Sequence, residues 1–415
     1  KVAVTRVEKC RACHHQTFTE IDSLGQFSYA NLFPKIKSDS YQRHPLTLVV
    51  CQKCSLCQLN IFPDLDELYT NYLWTTNSST AVHDYLDELK TRLIKLTGNR
   101  LNKVIEVAAN DGTFLKKFEG ECEYLVGVDP ARNLSDYYHE SHIHLVTAFF
   151  SEDLVKTNPE TFSEAQLIIA RNVLAHTPDI EMFLRTCKTC LSRDGLLYLE
   201  FHDGDEIIDK LQFDSIYHEH QSYITENAIR LIVDRLHLTV IDCWRGPIGG
   251  SSLSLVVKNT LDSDTSAPIN ENQSPQQKLL VRKETLRWQK FRCEIDLYKN
   301  KVTQILNTLK SENQTIVGFG ASARSTTIAE FCSISQWLSA IVDSSSFKQG
   351  RLWTGTEIFV TSPSVTDWAT VDVVILFAWN FEKEIVVQLS NLGFSGRILR
   401  LLPHEPIFIE QKNVD

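Results

Sequence analysis

The amino-acid sequence predicts an α/β protein in three parts: an N-terminal zinc-binding module, a central Rossmann-like domain and a C-terminal Rossmann-like α/β domain. Two observations predict this organisation: paired cysteines near the start of the chain, and two later regions in which short apolar strands alternate with helices. A chain of 415 residues is also too long for one ordinary hydrophobic core. We place the three parts at residues 1–68, 69–265 and 266–415.

The first part is defined by two Cys-x-x-Cys pairs, Cys10 with Cys13 and Cys51 with Cys54. Two such pairs, separated by a few dozen residues, can place four thiolates around one tetrahedral zinc ion. Cys57 follows the second pair and could compete as a ligand. The alternative is two unrelated pairs of free thiols, but the finger-like spacing favours zinc.

Beyond residue 103 the pattern changes to strands separated by helices, which predicts a doubly wound parallel sheet. The predicted strands of this central unit are 104–108, 124–129, 142–147, 165–170 and 195–200. A polar linker at 268–276 then precedes a long charged helix at 277–311, and a second α/β unit begins at residue 315. The sequence therefore predicts two sheets joined by one long helix.

Composition and charge exclude several classes of function. The net charge of −10 argues against broad nucleic-acid binding, which needs a basic face, although a local basic pocket for a phosphorylated ligand is compatible with it. No apolar run reaches membrane-spanning length, and no charged start is followed by an apolar stretch. We therefore expect a cytoplasmic protein without nucleic-acid or membrane partners. Because no heptad pattern or long apolar stripe is present, we also expect a monomer.

A candidate cofactor site lies where the first two strands of the central unit end. The first strand leads into Glu106-Val-Ala108-Ala-Asn110-Asp-Gly, and the second strand ends in Asp129. Small residues let the backbone approach a ligand, and the Asp129 carboxylate can accept hydrogen bonds from ribose hydroxyls. Because the turn has no Gly-x-Gly-x-x-Gly fingerprint, it suits a phosphate-free cationic cofactor such as S-adenosylmethionine better than a dinucleotide. Similar turns also occur in sheets that bind nothing.

The strongest chemical signal is the segment Tyr217-His218-Glu219-His220. Histidine moves protons near neutral pH, a neighbouring carboxyl group can orient it, and a tyrosine can hydrogen-bond a developing oxyanion. Together these residues predict an apparatus that removes a proton next to a carbonyl group. Two alternatives stay open: His218 and His220 on one face of a strand could bind a metal, or the segment is a polar surface strand. His176, after the fourth strand, is by itself better explained as a loop histidine.

Two further motifs lie in helices or at their starts. The loop Gly318-Phe-Gly320-Ala-Ser-Ala-Arg324 joins a strand to a helix, and its backbone amides and Arg324 could hold a phosphate. The alternative for this loop is a tight turn without a ligand. Cys187-Lys-Thr-Cys190 resembles a third cysteine pair, but its amphipathic surroundings predict buried thiols.

The order of these motifs resembles the three-domain, S-adenosylmethionine-dependent sugar C-methyltransferases of deoxysugar biosynthesis, which include the C-3 methyltransferases of tetronitrose and mycarose pathways. The resemblance spans nearly the whole chain. Besides the cysteine pairs, it is carried by the motifs at 106–112, 127–131, 170–176, 217–220, 249–251, 318–321, 343–350 and 378–380.

The resemblance implies a role for each matching residue. A structural zinc would be held by Cys10, Cys13, Cys51 and Cys54, with Cys57 left as a spare thiol. The S-adenosylmethionine site would be lined by Glu106, Ala108, Asn110, Asp129, Phe149, Phe150 and Asn172. The general base would be His220, and the groups around the reacting carbon would be Tyr217, Glu219 and His176. The substrate would be contacted by Tyr72, Trp74, Gly250, Ser251, Gly318, Gly320 and Arg324.

The resemblance also implies the substrate class, a small molecule in which a nucleotide is linked to a 4-keto-6-deoxysugar. The C4 ketone acidifies the proton on C3, His220 removes that proton, and the carbon nucleophile then takes a methyl group. This chain departs from the family pattern at Trp74, Ile248 and Arg324, positions that would face the substrate. Two alternatives follow: a methyltransferase for a keto substrate that is not a sugar, or a metal-dependent enzyme that uses the His-Glu-His segment.

Overall fold

The computed structural model describes residues 5–35, 43–63, 80–98, 101–139, 141–247, 250–260 and 273–410. Three residues singled out above, Tyr72, Trp74 and Ile248, lie outside the described residues. Within the described ranges, no helix combines the length and the apolar character needed to cross a membrane.

The N-terminal module is built from short antiparallel strands. These are β1 (Thr5–Arg6), β2 (Phe18–Glu20), β3 (Gln26–Ser28), β4 (Arg43–Pro45), β5 (Leu48–Cys51), β6 (Cys57–Leu59) and β7 (Ile61–Phe62). In the module's main sheet, β5 lies between β2 and β6. A strand from the central domain, Ser222–Tyr223, adds to the free side of β6, so the module is completed by residues that follow the histidine segment.

The central domain contains a seven-stranded sheet covered by helices. Its strands are β8 (Lys103–Val107), β9 (Tyr124–Val128), β10 (Ile143–Val146), β11 (Ala165–Arg171), β12 (Leu191–His202), β14 (Leu238–Gly246) and β15 (Ser252–Asn259), and β13 is Ser222–Tyr223. Its helices are α1 (Thr80–Leu96), α2 (Glu152–Thr157), α3 (Pro159–Phe162), α4 (Ile180–Cys190), α5 (Gly204–Asp209) and α6 (Glu226–Arg235).

The sheet order is β10-β9-β8-β11-β12-β15-β14. The first five strands in this order are parallel, and β15 runs antiparallel to both of its neighbours. The predicted doubly wound sheet is therefore confirmed. Because the chain builds outward in opposite directions from β8 and β11, a crevice forms at their carboxyl ends, where ligands of such sheets bind.

The C-terminal part begins with the long helix α7 (Pro275–Ser311), which confirms the helix predicted at 277–311. Ser274 caps its first turn in a capping box with Gln277. The second sheet has the order β18-β17-β16-β19-β20-β21, and its elements are β16 (Ile316–Phe319), α8 (Ala323–Phe331), β17 (Ala340–Val342), β18 (Val360–Thr361), β19 (Val373–Leu376), α9 (Glu382–Asn391), β20 (Arg397–Arg400) and β21 (Ile407–Ile409).

The N-terminal module and the C-terminal sheet share one hydrophobic core. Phe33 and Leu46 of the module, Trp288 and Phe291 of α7, and Phe331 of α8 belong to the same buried cluster. Trp288 is fully buried and lies edge-on to Phe291, with 5.5 Å between ring centroids. Helix α7 therefore connects the module to the C-terminal part by packing rather than by sequence proximity.

Truncating Trp288 tests this shared core. We expect Trp288→Ala to lower the free energy of unfolding by about 3–5 kcal/mol, because a large buried side chain is replaced by a cavity. Leu286→Ala, on the exposed face of the same helix, is the control and should change stability by less than about 0.5 kcal/mol. Urea denaturation followed by circular dichroism measures both; equal effects would contradict the shared core.

Candidate functional site

The four predicted zinc ligands form one compact cluster. The Sγ atoms of Cys10 and Cys54 are 3.6 Å apart, those of Cys13 and Cys51 are 3.5 Å apart, and all four lie within 4.8 Å of one another. A tetrahedral zinc with Zn–S bonds of ~2.3 Å would have S–S edges of roughly 3.8 Å, so the cluster fits one zinc ion. All four side chains are buried, which is typical of a closed structural site. Cys57, the first residue of β6, belongs instead to a buried apolar cluster.

Among the described residues, these four cysteines are the only group of three or more His, Cys, Asp or Glu side chains that could hold a metal ion. The histidine segment does not supply a second metal site. His218 approaches the carbonyl oxygen of Pro45 at 3.3 Å and packs edge-on against the rings of Tyr29 and His44. It therefore attaches the segment to the N-terminal module, while His220 turns toward Tyr217. Cys187 and Cys190, as predicted, are buried in α4 within an apolar cluster.

A cavity of about 520 Å³ opens at the carboxyl ends of β8 and β11. This volume lies within the range of ~300–1,000 Å³ common for small-molecule sites. The predicted site residues in its lining are Glu106, Ala108, Asn110, Asp129, Phe149, Phe150, Asn172 and His176. The structure thus brings the predicted cofactor residues to one cavity at the place where the order of the sheet reverses.

The turn after β8 is held by Asp129. Its carboxylate accepts hydrogen bonds from the backbone amides of Asn110 and Ala131, both at 2.8 Å. Ala108 and Asn110 have φ values of +56° and +54°, a left-handed conformation that costs energy for residues other than glycine. Asp129 therefore both shapes the turn and presents remaining acceptor sites to the cavity.

Glu106 contributes an unusual carboxyl group to the cavity. The side chain is buried, and its Oε2 atom has no hydrogen-bond partner within the described structure. Burial raises the pKa of Glu106 to about 8, although the nearby Arg171 guanidinium acts in the opposite direction. Because buried polar atoms are normally hydrogen-bonded, Oε2 marks a place where a polar group of a ligand would fit.

A buried ion pair joins Arg171, which lines the cavity, to Glu200, which the sequence patterns do not single out. Arg171 Nε donates to Glu200 Oε2 at 2.7 Å, and the hydroxyls of Tyr85 and Ser252 donate to Glu200 Oε1, each at 2.8 Å. Glu200 therefore connects the ends of β11, β12 and β15 to α1. Glu200 ends the fifth predicted strand, and ligand-binding residues of such sheets gather at the ends of strands, so this position is the sequence signal for its role.

The histidine segment is a buried turn, so the alternative of a polar surface strand is wrong: His218 and Glu219 are almost inaccessible to solvent. His220 Nδ1 lies 2.8 Å from the carbonyl oxygen of Ser215, and Nε2 lies 2.9 Å from the Tyr217 hydroxyl. Since a carbonyl oxygen can only accept, Nδ1 carries the proton, and the unprotonated Nε2 accepts a hydrogen bond from the Tyr217 hydroxyl. Burial lowers the pKa of His220 well below its ordinary value, so the ring is neutral.

The same turn meets the cofactor cavity and the N-terminal module. His176, in the cavity wall, lies with its ring centroid 5.0 Å from that of His220, and burial lowers its pKa to about 4. Glu219 accepts hydrogen bonds from Asn31 Nδ2 at 2.8 and 2.9 Å, and burial raises its pKa to about 7. Asn31 carries no sequence signal, because its role depends on contact with a residue 188 positions away.

Arg324 is paired with a carboxylate rather than set in an open phosphate cradle. Its Nε and Nη2 atoms donate to the two oxygens of Asp214, both at 3.0 Å, and Nη2 also donates to Ser215 Oγ at 3.0 Å. Trp379 Nε1 donates to Asp214 at 2.9 Å, and the Arg324 guanidinium lies 4.6 Å from the Trp379 ring. Because Ser215 also binds His220, this pair attaches the histidine turn to the C-terminal part.

The other predicted substrate residues occupy two places. Gly250 lies against Trp379, where an added Cβ would come within 2.2 Å of the indole ring, and Ser251 beside it is buried. Gly318 lies inside β16, and Gly320 follows that strand with φ of +100° against the backbone of Ala378. The structure therefore brings Gly250 and Arg324 to the indole ring of Trp379. Gly318 and Gly320 are explained by close packing alone, since an added Cβ at either position would clash with neighbouring residues.

The fold and the cavity are those of a methyltransferase whose N-terminal module contains a cluster of four cysteines, and the comparisons with known proteins agree with this class. Family models match in order: "Putative zinc binding domain" at residues 10–69, "Methyltransferase domain" at 80–242 and "C-methyltransferase C-terminal domain" at 247–403. A curated relative, C-methyltransferase NovU of Streptomyces niveus, is 25% identical over 418 residues, which are 99% of each chain. Together these matches show that the chain is an S-adenosylmethionine-dependent C-methyltransferase.

The same matches indicate S-adenosylmethionine as the cofactor and zinc, held by the buried cysteine cluster, as a structural metal. Two solved structures resemble part of the chain. The N-methyltransferase NodS from Bradyrhizobium japonicum WM9 is 16% identical with a TM-score of 0.32, covering 42% of this chain and 97% of its own. The PH0226 protein from Pyrococcus horikoshii OT3 is 17% identical with a TM-score of 0.35, covering 45% and 94%. Similarity at this level carries no further argument.

Loss of one cysteine ligand tests the zinc site. We expect about one zinc per chain in the wild type and a clear loss of zinc in Cys51→Ser, because a hydroxyl is a poor ligand in a thiolate site. Cys187→Ser removes a buried thiol that also belongs to a Cys-x-x-Cys pair but lies in α4, so its zinc content should stay unchanged. Atomic absorption on the purified proteins measures this; full zinc in Cys51→Ser would contradict the assignment.

The raised pKa of Glu106 predicts a pH dependence of stability. The folded protein binds this proton more tightly than the unfolded chain, so the stability contributed by Glu106 is present below pH 4.5 and is lost as pH rises to about 8. Relative to Glu106→Gln, the cofactor-free wild type should lose on the order of 2–4 kcal/mol across this range. Urea denaturation at each pH measures the difference; the exposed Glu88→Gln is the control, and a pH-independent difference would refute the assignment.

Proposed function

We propose that the enzyme methylates a carbon next to a ketone, namely C3 of a nucleotide-linked 4-keto-6-deoxysugar, and that His220 removes the proton from this carbon. The observation that carries the proposal is the hydrogen bonding of His220: Nδ1 donates to the Ser215 carbonyl oxygen, so Nε2 is the unprotonated nitrogen and accepts from the Tyr217 hydroxyl. The position of His220 near the cofactor cavity is a second support, because its ring packs against that of His176, which lines the cavity.

The surroundings of His220 suit a base that works on a weakly acidic carbon. A lowered pKa keeps the ring unprotonated at neutral pH, but it also makes Nε2 a modest proton acceptor. The developing enolate oxygen must therefore be stabilised by the site. We assign this to Tyr217, whose hydroxyl proton can turn from Nε2, 2.9 Å away, to the enolate oxygen once Nε2 has taken the carbon-bound proton, and to Glu219, whose pKa, raised by burial to about 7, leaves it partly protonated at neutral pH.

The cofactor residues act by positioning. Glu106, Asn110 and Asp129 supply polar atoms that would hold S-adenosylmethionine, and Phe149, Phe150 and Asn172 would complete its site. When bound, S-adenosylmethionine supplies a methyl group attached to a positively charged sulfur, which a carbon nucleophile attacks without covalent help from the protein. The apolar walls of the cavity exclude water, which would otherwise return a proton to the carbon nucleophile.

The order of the sequence motifs and the presence of the second sheet support a sugar nucleotide as the substrate. We propose that the nucleotide lies against the part 266–415 near Gly318 and Gly320, and that Gly250, Ser251 and Arg324 face the acceptor. Tyr72 and Trp74 remain proposed contacts. One observation favours a second candidate, a ketone without a nucleotide: the charge of Arg324 is already balanced by Asp214. Offering both classes of ketone to the enzyme distinguishes the two candidates.

Substitution of His220 tests the proposed mechanism. We expect His220→Ala to reduce methyl transfer to 4-keto-6-deoxysugars linked to dTDP or GDP by at least about 100-fold, the usual contribution of general base catalysis. Binding of S-adenosylhomocysteine, measured by calorimetry, should stay within about twofold of the wild-type affinity because His220 is not part of the cavity lining.

His139→Ala is the matched control, because His139 is an exposed histidine of the same domain that pairs with Asp136. It should methylate at the wild-type rate. If His220→Ala methylates as fast as His139→Ala, His220 is not the base. If the wild type methylates simple ketones and none of the nucleotide-linked sugars, the substrate proposal is wrong although the mechanism stands.

A further inference from the structure

We infer that Arg11, which lies between two zinc ligands, couples the zinc site to the cofactor cavity, so that zinc binding and cofactor binding strengthen each other. Neither the zinc ligands nor the cavity lining includes this residue. The inference concerns how the two sites communicate, and it holds for any methyl acceptor.

The side chain of Arg11 reaches from the zinc site to the cavity wall. It is 1% exposed, and its Nη1 and Nη2 atoms donate to the carbonyl oxygens of Leu59 and Ile61 at 2.7 and 2.6 Å. Its guanidinium lies 4.5 Å from the ring centroid of Phe62. Phe62 and the following Pro63 line the cavity, so Arg11 fixes the end of β7 that forms this wall.

The backbone of Arg11 reaches a second wall. Its carbonyl oxygen accepts hydrogen bonds from the amides of Ile180 at 2.8 Å and Glu181 at 3.3 Å, at the start of α4. The two residues just before this helix that line the cavity are Thr177 and Pro178. Arg11, which lies between the two cysteines of the first pair, therefore holds two separate segments of the cavity wall in place.

Charge provides the link to zinc. A buried cation is costly unless an anion compensates it. Among the described residues, no carboxylate forms an ion pair with Arg11, whose side-chain contacts are two carbonyl oxygens and an aromatic ring. Zinc bound by four thiolates carries a net charge of about −2, and Cys10 and Cys13 flank Arg11. The metal site thus supplies the compensating charge as well as the shape of the turn that contains Arg11.

Coupling of this kind is reciprocal. If zinc raises the affinity for the cofactor by some factor, the cofactor raises the affinity for zinc by the same factor. Coupling factors of roughly 5–150 are typical, and we expect about tenfold here. Arg11→Met should break the connection, because methionine keeps much of the length of the side chain and removes its charge and its donors.

The experiment uses the full-length protein, with S-adenosylhomocysteine as the probe. Calorimetry gives its affinity for zinc-loaded wild type, Arg11→Met, Arg11→Lys and Arg292→Met. Arg292 is a matched control, because its guanidinium also donates to two carbonyl oxygens of the N-terminal module, those of Asp22 and Ser23, away from the cysteines. Competition with a coloured chelator gives the zinc affinity of each protein with and without saturating S-adenosylhomocysteine.

We expect S-adenosylhomocysteine to raise the zinc affinity of the wild type and Arg292→Met about tenfold, and not that of Arg11→Met. Arg11→Met should bind S-adenosylhomocysteine about tenfold more weakly with zinc still bound, and Arg11→Lys should recover part of this loss. Equal zinc affinity of the wild type with and without S-adenosylhomocysteine would overturn the inference. This measurement needs no substitution, so it decides the matter even if Arg11→Met does not fold.

Discussion

The hydrogen bond from His220 Nδ1 to the Ser215 carbonyl oxygen is the interaction on which the proposed chemistry depends. It determines which ring nitrogen carries the proton, and so which one is available as a base. A histidine free to rotate or to change tautomer would present its lone pair to the substrate only part of the time. Much of the structure around this turn can be understood as the support that keeps this single bond in place.

That support comes from all parts of the chain. The N-terminal module contributes Asn31, which binds Glu219, and it is completed by the strand that follows His220. The C-terminal part contributes Arg324, which binds both Asp214 and Ser215. The zinc site takes no part in the proposed chemistry. Its module packs with α7 into the core of the C-terminal part and also forms a wall of the cofactor cavity, so a structural metal contributes to the geometry of a distant reaction.

The sequence was sufficient for features whose cause is local. Cys-x-x-Cys spacing predicts ligands, and acidic or small residues at strand ends predict a ligand edge, because parallel strands place those ends together. It was not sufficient for Asn31, Glu200 and Asp214, whose roles depend on side-chain contacts between distant segments. It also offered Arg324 as part of a loop that could hold a phosphate, because the pairing of Arg324 with a carboxylate 110 positions away has no local pattern. The residue types of the histidine segment predict proton-transfer chemistry, but its polar composition does not indicate that the segment forms a buried turn.

The most direct measurement of the central claim separates proton removal from methyl transfer. The enzyme is incubated with the keto sugar in D₂O, with S-adenosylhomocysteine in place of the methyl donor, and deuterium at C3 is followed by NMR. If His220 removes the C3 proton, the wild type and His139→Ala exchange this position and His220→Ala does not. Exchange that persists in His220→Ala at the wild-type rate would contradict the claim, whichever residue then proved to be the base.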